Sequence, residues 1–207
     1  MVTRSEPGYA WDFCGGELAI DFTNTVGSRG GTPEEHFSTY GDVVSWAEAR
    51  GVIGRAEARR LQQEAARQPT AGSGALAEAV ALREALYRVI AAAASGRTPA
   101  PADLARINAH VATSFSGARL QFSRGRLQLA FEPPGGRLPL TAPILTPVVR
   151  AAIELLTGDA LARVRQCADA SCAWLFLDTT RNRTRRWCDM KECGNRNKVR
   201  RFREAQT

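Results

Sequence analysis

Apolar residues recur every three or four positions over most of the first three quarters of the chain, the spacing of helices with one buried face. The pattern predicts helices over residues 40–50, 54–68, 75–95, 103–114 and 142–157. A short helix is also favoured within residues 11–27, although Ile20, Phe22 and Val26 fit a strand as well. Residues 68–74 and 96–101 are rich in Pro and Gly, so we expect loops there, and Gly51 should end the helix before it.

The period changes to two between residues 119 and 131, which predicts a β-hairpin with its turn at residues 123–125. A second turn is predicted at residues 133–136, where two prolines precede two glycines. We place a domain boundary at Gly158 and Asp159. The expected fold class is a mainly α N-terminal domain with a small β-hairpin (α+β) over residues 1–158, followed by a second domain over residues 159–207.

The second domain holds too few apolar residues to close a core alone, and units of that size usually need a metal or disulfides. Four of its residues supply a donor set, because Cys167-x4-Cys172 and Cys188-x4-Cys193 are two close pairs separated by fifteen residues. That spacing predicts a tetrahedral site with one structural Zn²⁺ and no open coordination position. Cys14 lies far away in sequence, and we expect it to be a small buried apolar residue.

The order of elements around the cysteines is typical of a treble-clef-like zinc finger. Residues 174–178 alternate as in a strand, residues 178–182 suit a turn, and residues 185–187 are expected to begin the returning strand. A helix over residues 194–205 would then start beside Cys193, where the partial positive charge of a helix N-terminus favours thiolate. We expect Val199 and Phe202 to pack on Leu175, Leu177 or Trp187.

Positive charge is concentrated in the same region. The chain carries +7, but residues 181–203 hold ten basic and two acidic side chains, so the rest of the chain balances to −1. Such segregation favours a polyanionic partner, and double-stranded DNA is the first hypothesis because a basic helix fits a major groove. The candidate contacts are Arg181, Arg183, Arg185, Arg186, Asn195, Arg196, Lys198, Arg200, Arg201 and Arg203, of which Arg196, Arg200 and Arg203 would form one basic ridge.

Three strings resemble the signature of the CGNR zinc fingers: CDMKECGNRNK at 188–198, WLFLD at 174–178 and RNRTRRW at 181–187. The resemblance spans about residues 163–203, with one departure, Ala173, which stands where glycine is common in these fingers. LAIDFTNT, at residues 18–25, is similar to the start of the ABATE domain, which often precedes that finger. The resemblance implies a bacterial transcription regulator linked to stress.

Other functions remain open on sequence alone. The finger could instead bind single-stranded RNA, with Trp174, Phe176 and Trp187 stacking on bases, although these residues equally suit a small core. Enzymatic activity is not expected, because neither histidine has metal or nucleophile spacing and no phosphate-binding or nucleophile-elbow motif is present. Asp21 and Asn24 could bind a small-molecule effector or only fix the local backbone.

The remaining expectations concern assembly and location. The helices predicted at 75–95 and 142–157 could support a homodimer, although no heptad pattern requires one. The first residues lack the apolar segment of a secretory signal, and no apolar run reaches the eighteen residues of a membrane span. We therefore expect a soluble cytoplasmic protein without membrane contacts.

Overall fold

The computed structural model describes residues 11–131, 138–204 and 206. Seven α-helices lie in this described part: α1 Leu18–Thr23, α2 Tyr40–Ala49, α3 Arg55–Arg67, α4 Pro69–Ala94, α5 Pro101–Phe115, α6 Ala142–Thr157 and α7 Asn195–Glu204. Six short strands pair two by two: β1 Val26–Gly27, β2 Glu34–Glu35, β3 Ala118–Ser123, β4 Arg126–Phe131, β5 Val164–Gln166 and β6 Leu175–Leu177. The mainly α class with a small β-hairpin (α+β) is confirmed.

Helix α4 lies at the centre of the N-terminal domain and packs on α1, α2, α3, α5 and α6. Most of its apolar stripe is buried, as is most of that of α6, so these two helices pack their apolar sides into the core of the domain. Phe22, Phe37 and Trp46 stack edge to face or tilted beside them. None of the described helices combines the length and hydropathy needed to cross a membrane.

Most predicted helix ends are confirmed, but the loop predicted at residues 68–74 is wrong. Helix α4 already begins at Pro69, because proline fits the first position of a helix, where a backbone N–H would have no partner. Gly72 then sits against α3, and a Cβ there would lie 3.3 Å from Cβ of Ala65. Small residues therefore allow a tight turn between α3 and α4.

The hairpin predicted from the period-two pattern is confirmed. Strands β3 and β4 pair in antiparallel register from Ala118 opposite Phe131 to Ser123 opposite Arg126. Arg124 and Gly125 both have positive φ, 52° and 79°, as a two-residue hairpin turn with the twist of its strands requires. The turn predicted at residues 133–136 lies outside the described residues.

The strand pairing of the finger differs from the prediction. Strand β6 pairs with β5, Leu175 opposite Gln166 and Leu177 opposite Val164, and residues 185–187 form no strand. The second edge of β6 is already occupied by the N-terminal domain, because the side chain of Asn24 bonds both backbone groups of Leu175. The backbone N–H of Leu177 likewise donates to the carbonyl of Gly15, so no edge is left for a returning strand.

Candidate metal centre and nucleic-acid interface

Two turns bring the four predicted ligands together. The Sγ atoms of Cys167, Cys172, Cys188 and Cys193 all lie within 4.8 Å of one another, and the residues are buried. The Sγ of Cys188 is 3.5 Å from that of Cys172 and 3.6 Å from that of Cys193. Tetrahedral zinc with Zn–S bonds of about 2.3 Å holds its sulfurs roughly 3.8 Å apart, whereas a disulfide needs about 2.0 Å. The donor set fits one structural Zn²⁺, as predicted.

An aspartate shapes each turn, a feature that cysteine spacing alone did not reveal. The carboxylate of Asp169 accepts from the backbone N–H and hydroxyl of Ser171, at 3.1 and 2.8 Å. The carboxylate of Asp189 accepts from the backbone N–H groups of Lys191 and Glu192, at 2.6 and 2.9 Å. Such side-chain turns pre-form the two cysteine loops. An Asp one or two residues after the first cysteine of each pair is the sequence signal that could have predicted them.

The pKa values of the clustered thiols are shifted in opposite directions. Hydrogen bonds from the thiols of Cys172 and Cys188 lower the pKa of Cys167, while the matching bond with Cys167 raises the pKa of Cys172. A hydrogen bond with Cys14 is the main cause that raises the pKa of Cys188, so the fifth cysteine, half-buried, lies against the cluster. Zinc binding requires thiolates and displaces these protons, so the affinity for zinc falls as the pH falls.

The finger is docked on the N-terminal domain by buried polar contacts. Asn24 donates to the carbonyl of Leu175 at 2.8 Å and accepts from its N–H at 3.1 Å. The indole N–H of Trp174 donates to the carbonyl of Val26 at 2.6 Å. At Gly30 the two regions approach so closely that a Cβ would lie 1.8 Å from the carbonyl oxygen of Ala170. The metal centre therefore has a fixed position on the domain.

The two candidate effector-binding residues already have partners inside the protein. Asp21 accepts from the N–H of Gly15 at 2.9 Å and from the guanidinium of Arg50 at 2.7 Å. Burial raises the pKa of Asp21, and the hydrogen bond from Arg50 opposes that rise. Asn24 uses its amide on Leu175. Asp21 thus lies in the domain core, and Asn24 lies at its border with the finger. Effector binding by these two residues stays a prediction.

The basic residues of the candidate interface divide into two groups. Arg185 is committed to the finger: it lies 4.5 Å over the ring of Phe176 and donates to the carbonyls of Cys14, Trp187 and Cys188. Arg196 donates to the hydroxyl of Ser171 at 3.2 Å, and Arg200 to the amide oxygen of Asn197 at 2.6 Å. The side chains of Arg196 and Arg200 are nevertheless each 53% exposed. The other exposed candidates are Arg181, Arg183, Arg186, Lys198, Arg201 and Arg203, with Asn195 exposed and bonded to the carbonyl of Lys191.

The packing predicted for Val199 and Phe202 is wrong, because the two side chains are 49% and 64% exposed. The inward side of α7 is formed instead by Asn197, which donates to Asp169 at 3.1 Å and to the carbonyl of Cys193 at 2.9 Å. A polar side chain thus ties the helix to both cysteine turns. Sequence reasoning missed Asn197 because a single polar residue among basic ones carries no periodic signal.

A cleft of about 180 Å³ lies where the N-terminal domain meets the finger. Its charged and ionisable lining comes from both regions: Asp12, Glu34 and His36 on one side, Glu192 and Arg196 on the other. Three of the four zinc-binding cysteines also line it. Burial lowers the pKa of His36, although Glu34 and Glu35 oppose that shift.

Two family models cover almost the whole chain. Residues 16–159 match the ABATE model, described as "putative stress-induced transcription regulator", and residues 163–206 match the model of the CGNR zinc finger. No curated protein gave a match. The resemblances drawn from the strings at 18–25 and 188–198 are therefore confirmed.

Proposed function

Since the chain belongs to the ABATE family and carries a CGNR zinc finger over residues 163–206, we propose that it is a transcription regulator that binds double-stranded DNA through that finger. The observation that supports DNA binding most is the segregation of charge, +8 in residues 181–203 against −1 elsewhere. Helix α7 has ten residues and is about 15 Å long, a suitable length for a major groove roughly 12 Å wide.

Two of the exposed arginines lie on a loop that is closed by hydrogen bonds. The buried carboxylate of Asp178 accepts from the hydroxyl and N–H of Thr180 and from the N–H of Arg185. These bonds close a loop that carries Arg181 and Arg183, both exposed. Since Arg185 is folded over Phe176, we assign the phosphate contacts to that loop and to the exposed basic residues of α7, Lys198 and Arg201 among them.

The test is a salt titration of duplex binding by fluorescence anisotropy with zinc-loaded protein. Four to six phosphate contacts give a log–log salt slope of about −4 to −5. The double variant Arg181→Gln/Arg201→Gln should reduce the slope by about 2, because each lost phosphate contact removes about 0.9. Arg106→Gln, an exposed arginine of α5, is the matched control and should leave the slope unchanged. Binding that does not depend on salt would rule the proposal out.

The burial of two of the three candidate stacking residues favours duplex DNA over single-stranded RNA, and the third, Trp187, is half-buried with Arg186 5.2 Å over its ring. Trp174 is 9% exposed with its indole bonded to Val26, and Phe176 is fully buried beneath Arg185. Neither can stack on a base without unfolding the finger, and such stacking is the usual basis of single-strand binding. Parallel titrations of a duplex and an RNA of equal length should show the tighter binding with the duplex.

Regulation by a small ligand is the second part of the proposal. The cleft at the border is lined by both regions, so a molecule bound there would couple the N-terminal domain to the finger. A thermal-shift screen of small metabolites tests this, followed by Glu34→Gln and Asp21→Asn with each hit. Loss of the ligand-induced thermal shift in Glu34→Gln alone would place the ligand in the cleft. Loss of that shift in Asp21→Asn alone would place the ligand at Asp21.

A further inference from the structure

Electrostatic attraction to phosphate leaves one feature of α7 without a role, its exposed apolar pair. Val199 and Phe202 are 49% and 64% exposed and lie three positions apart on the helix. All other exposed residues of α7 are charged or polar. Burying such a phenylalanine ring is favourable. Neighbouring exposed apolar groups rimmed by polar residues are typical of a contact with a partner, whereas single ones are common on any surface.

The contacts of α7 define which side faces outward. Asn197 anchors the inner side, and at about 100° per residue Val199 and Phe202 lie roughly 200° and 140° around the helix from it. Arg196 and Arg200, on the flank, are bonded to Ser171 and Asn197. The side that a partner meets first is therefore apolar at its centre and bordered by Lys198 and Arg203, which lie roughly 100° and 240° around the helix from Asn197.

The surrounding charge indicates what covers this pair. An apolar protein groove would have to take in the basic side chains beside the pair, with a loss of their hydration. The major groove of DNA has walls of phosphate for those cations, and its floor presents one apolar group, the 5-methyl of thymine. Phenylalanine and the methyl groups of small side chains are known contacts for that group.

We propose that Val199 and Phe202 read thymine methyl groups in the major groove, so that the target contains A·T pairs at the positions facing the middle of α7. This inference rests on the proposed DNA binding and adds its base preference. The arginines then position the finger, while the two apolar side chains supply discrimination between thymine and other bases.

Replacement of thymine by uracil tests the inference, because it removes only the methyl group. A preferred duplex is first selected from a random pool with the zinc-loaded protein, and each thymine is then replaced singly. Wild-type protein should lose about threefold to fivefold in affinity at one or two positions, as expected for one buried methyl. Phe202→Ala or Val199→Ala should bind the thymine duplex more weakly and lose the sensitivity to uracil at its own position.

Arg181→Gln is the matched control, since it should weaken binding to thymine and uracil duplexes equally. Both apolar side chains are exposed, so the alanine variants should keep the zinc content and melting temperature of wild type. Uracil without effect at every position, together with intact salt-dependent binding, would overturn the inference and leave the proposed function standing. Absence of salt-dependent binding would instead remove the proposed function. Sedimentation that shows a dimer lost in Phe202→Ala would also overturn the inference, by assigning the pair to a second copy.

Discussion

The N-terminal domain and the finger close their cores by different means. The domain buries long apolar side chains on every central helix, with Ile20, Leu82, Leu86 and Ile144 fully enclosed. The finger has a separate cluster of only four cysteines with Trp174 and Phe176. Burial of apolar surface therefore holds the first region, whereas the second depends on a metal ion that replaces a missing core.

The border between these two regions does not lie where the cysteines begin. Val164 of β5 and Leu175 of β6 belong to the core cluster of the N-terminal domain. Asn24 completes the free edge of β6 from 151 residues away in sequence. One half of the finger is thus built by the domain, and only the cysteine turns and α7 are left to the ion.

Removal of the metal should have the largest effect. Structural zinc contributes about 10–16 kcal/mol of apparent binding free energy in finger peptides. A chelator, or Cys193→Ser, should unfold the cysteine turns and α7 and abolish DNA binding, while the N-terminal helices persist. Hydrogen exchange should then show fast amides in Asn195–Glu204 and protected amides in Leu175–Leu177.

Cys14→Ser is the control for the metal experiment and should retain one zinc per chain by elemental analysis. Loss of protection in β6 together with α7 would contradict the division made above, because it would show the finger to be a single metal-built unit. Full protection of α7 without zinc would contradict the role of the ion itself.

Asn24→Ala should have the next largest effect. The substitution leaves the buried N–H and carbonyl of Leu175 without partners, which costs about 2–4 kcal/mol of the free energy of unfolding. Asn108→Ala, at an exposed position of α5, should change that free energy by less than about 0.5 kcal/mol. Urea unfolding measures both, and equal effects would mean that the amide of Asn24 does not secure the border.

Gly30→Ala tests the close approach of the two regions. A Cβ at Gly30 would lie 1.8 Å from the carbonyl of Ala170, so the loop must move, at a cost of about 1–3 kcal/mol. Gly74→Ala is the matched control with the opposite sign. It lies exposed in α4 with open space around its Cβ, and it should stabilise the protein by about 0.5–1 kcal/mol. A neutral Gly30→Ala would mean that the finger can shift on the domain.

The features that could be predicted from the sequence are those that show a regular apolar period or a characteristic residue spacing. Helix α6 ends where its apolar stripe ends, and the four cysteines are recognisable by spacing alone. The partner of β6 could not be predicted, because its edge is filled by a side chain, Asn24, rather than by a strand. The loop predicted at 68–74 failed because proline was taken as a break when it begins a helix.

The interface was harder to predict than the metal centre. Charge counting treats all arginines alike, but Arg185 is folded over Phe176 and Arg196 is bonded to Ser171. The inward turn of Asn197 decides which side of α7 is exposed, and that depends on Asp169, 28 residues earlier. Polar networks of this kind connect single residues across loops and leave no periodic pattern in the chain.

The smallest expected effect concerns Ala173, the one departure from the finger signature. Its φ is 55°, a left-handed conformation that costs an alanine about 1–2 kcal/mol and a glycine almost nothing. Glycine also raises the conformational entropy of the unfolded chain, which reduces the gain in stability by about 0.4–1 kcal/mol. Ala173→Gly should therefore stabilise the finger by up to about 1 kcal/mol. Ala105→Gly, at an exposed position with helical φ in α5, should instead destabilise the protein by about 1 kcal/mol. The carbonyl of Ala173 accepts from the hydroxyl of Tyr87 at 2.8 Å, so Ala173 contacts the domain as well as the metal turn. A gain in the free energy of unfolding that is confined to zinc-loaded protein would place the strain in the metal turn. A gain that survives chelation would place it at the border with the domain.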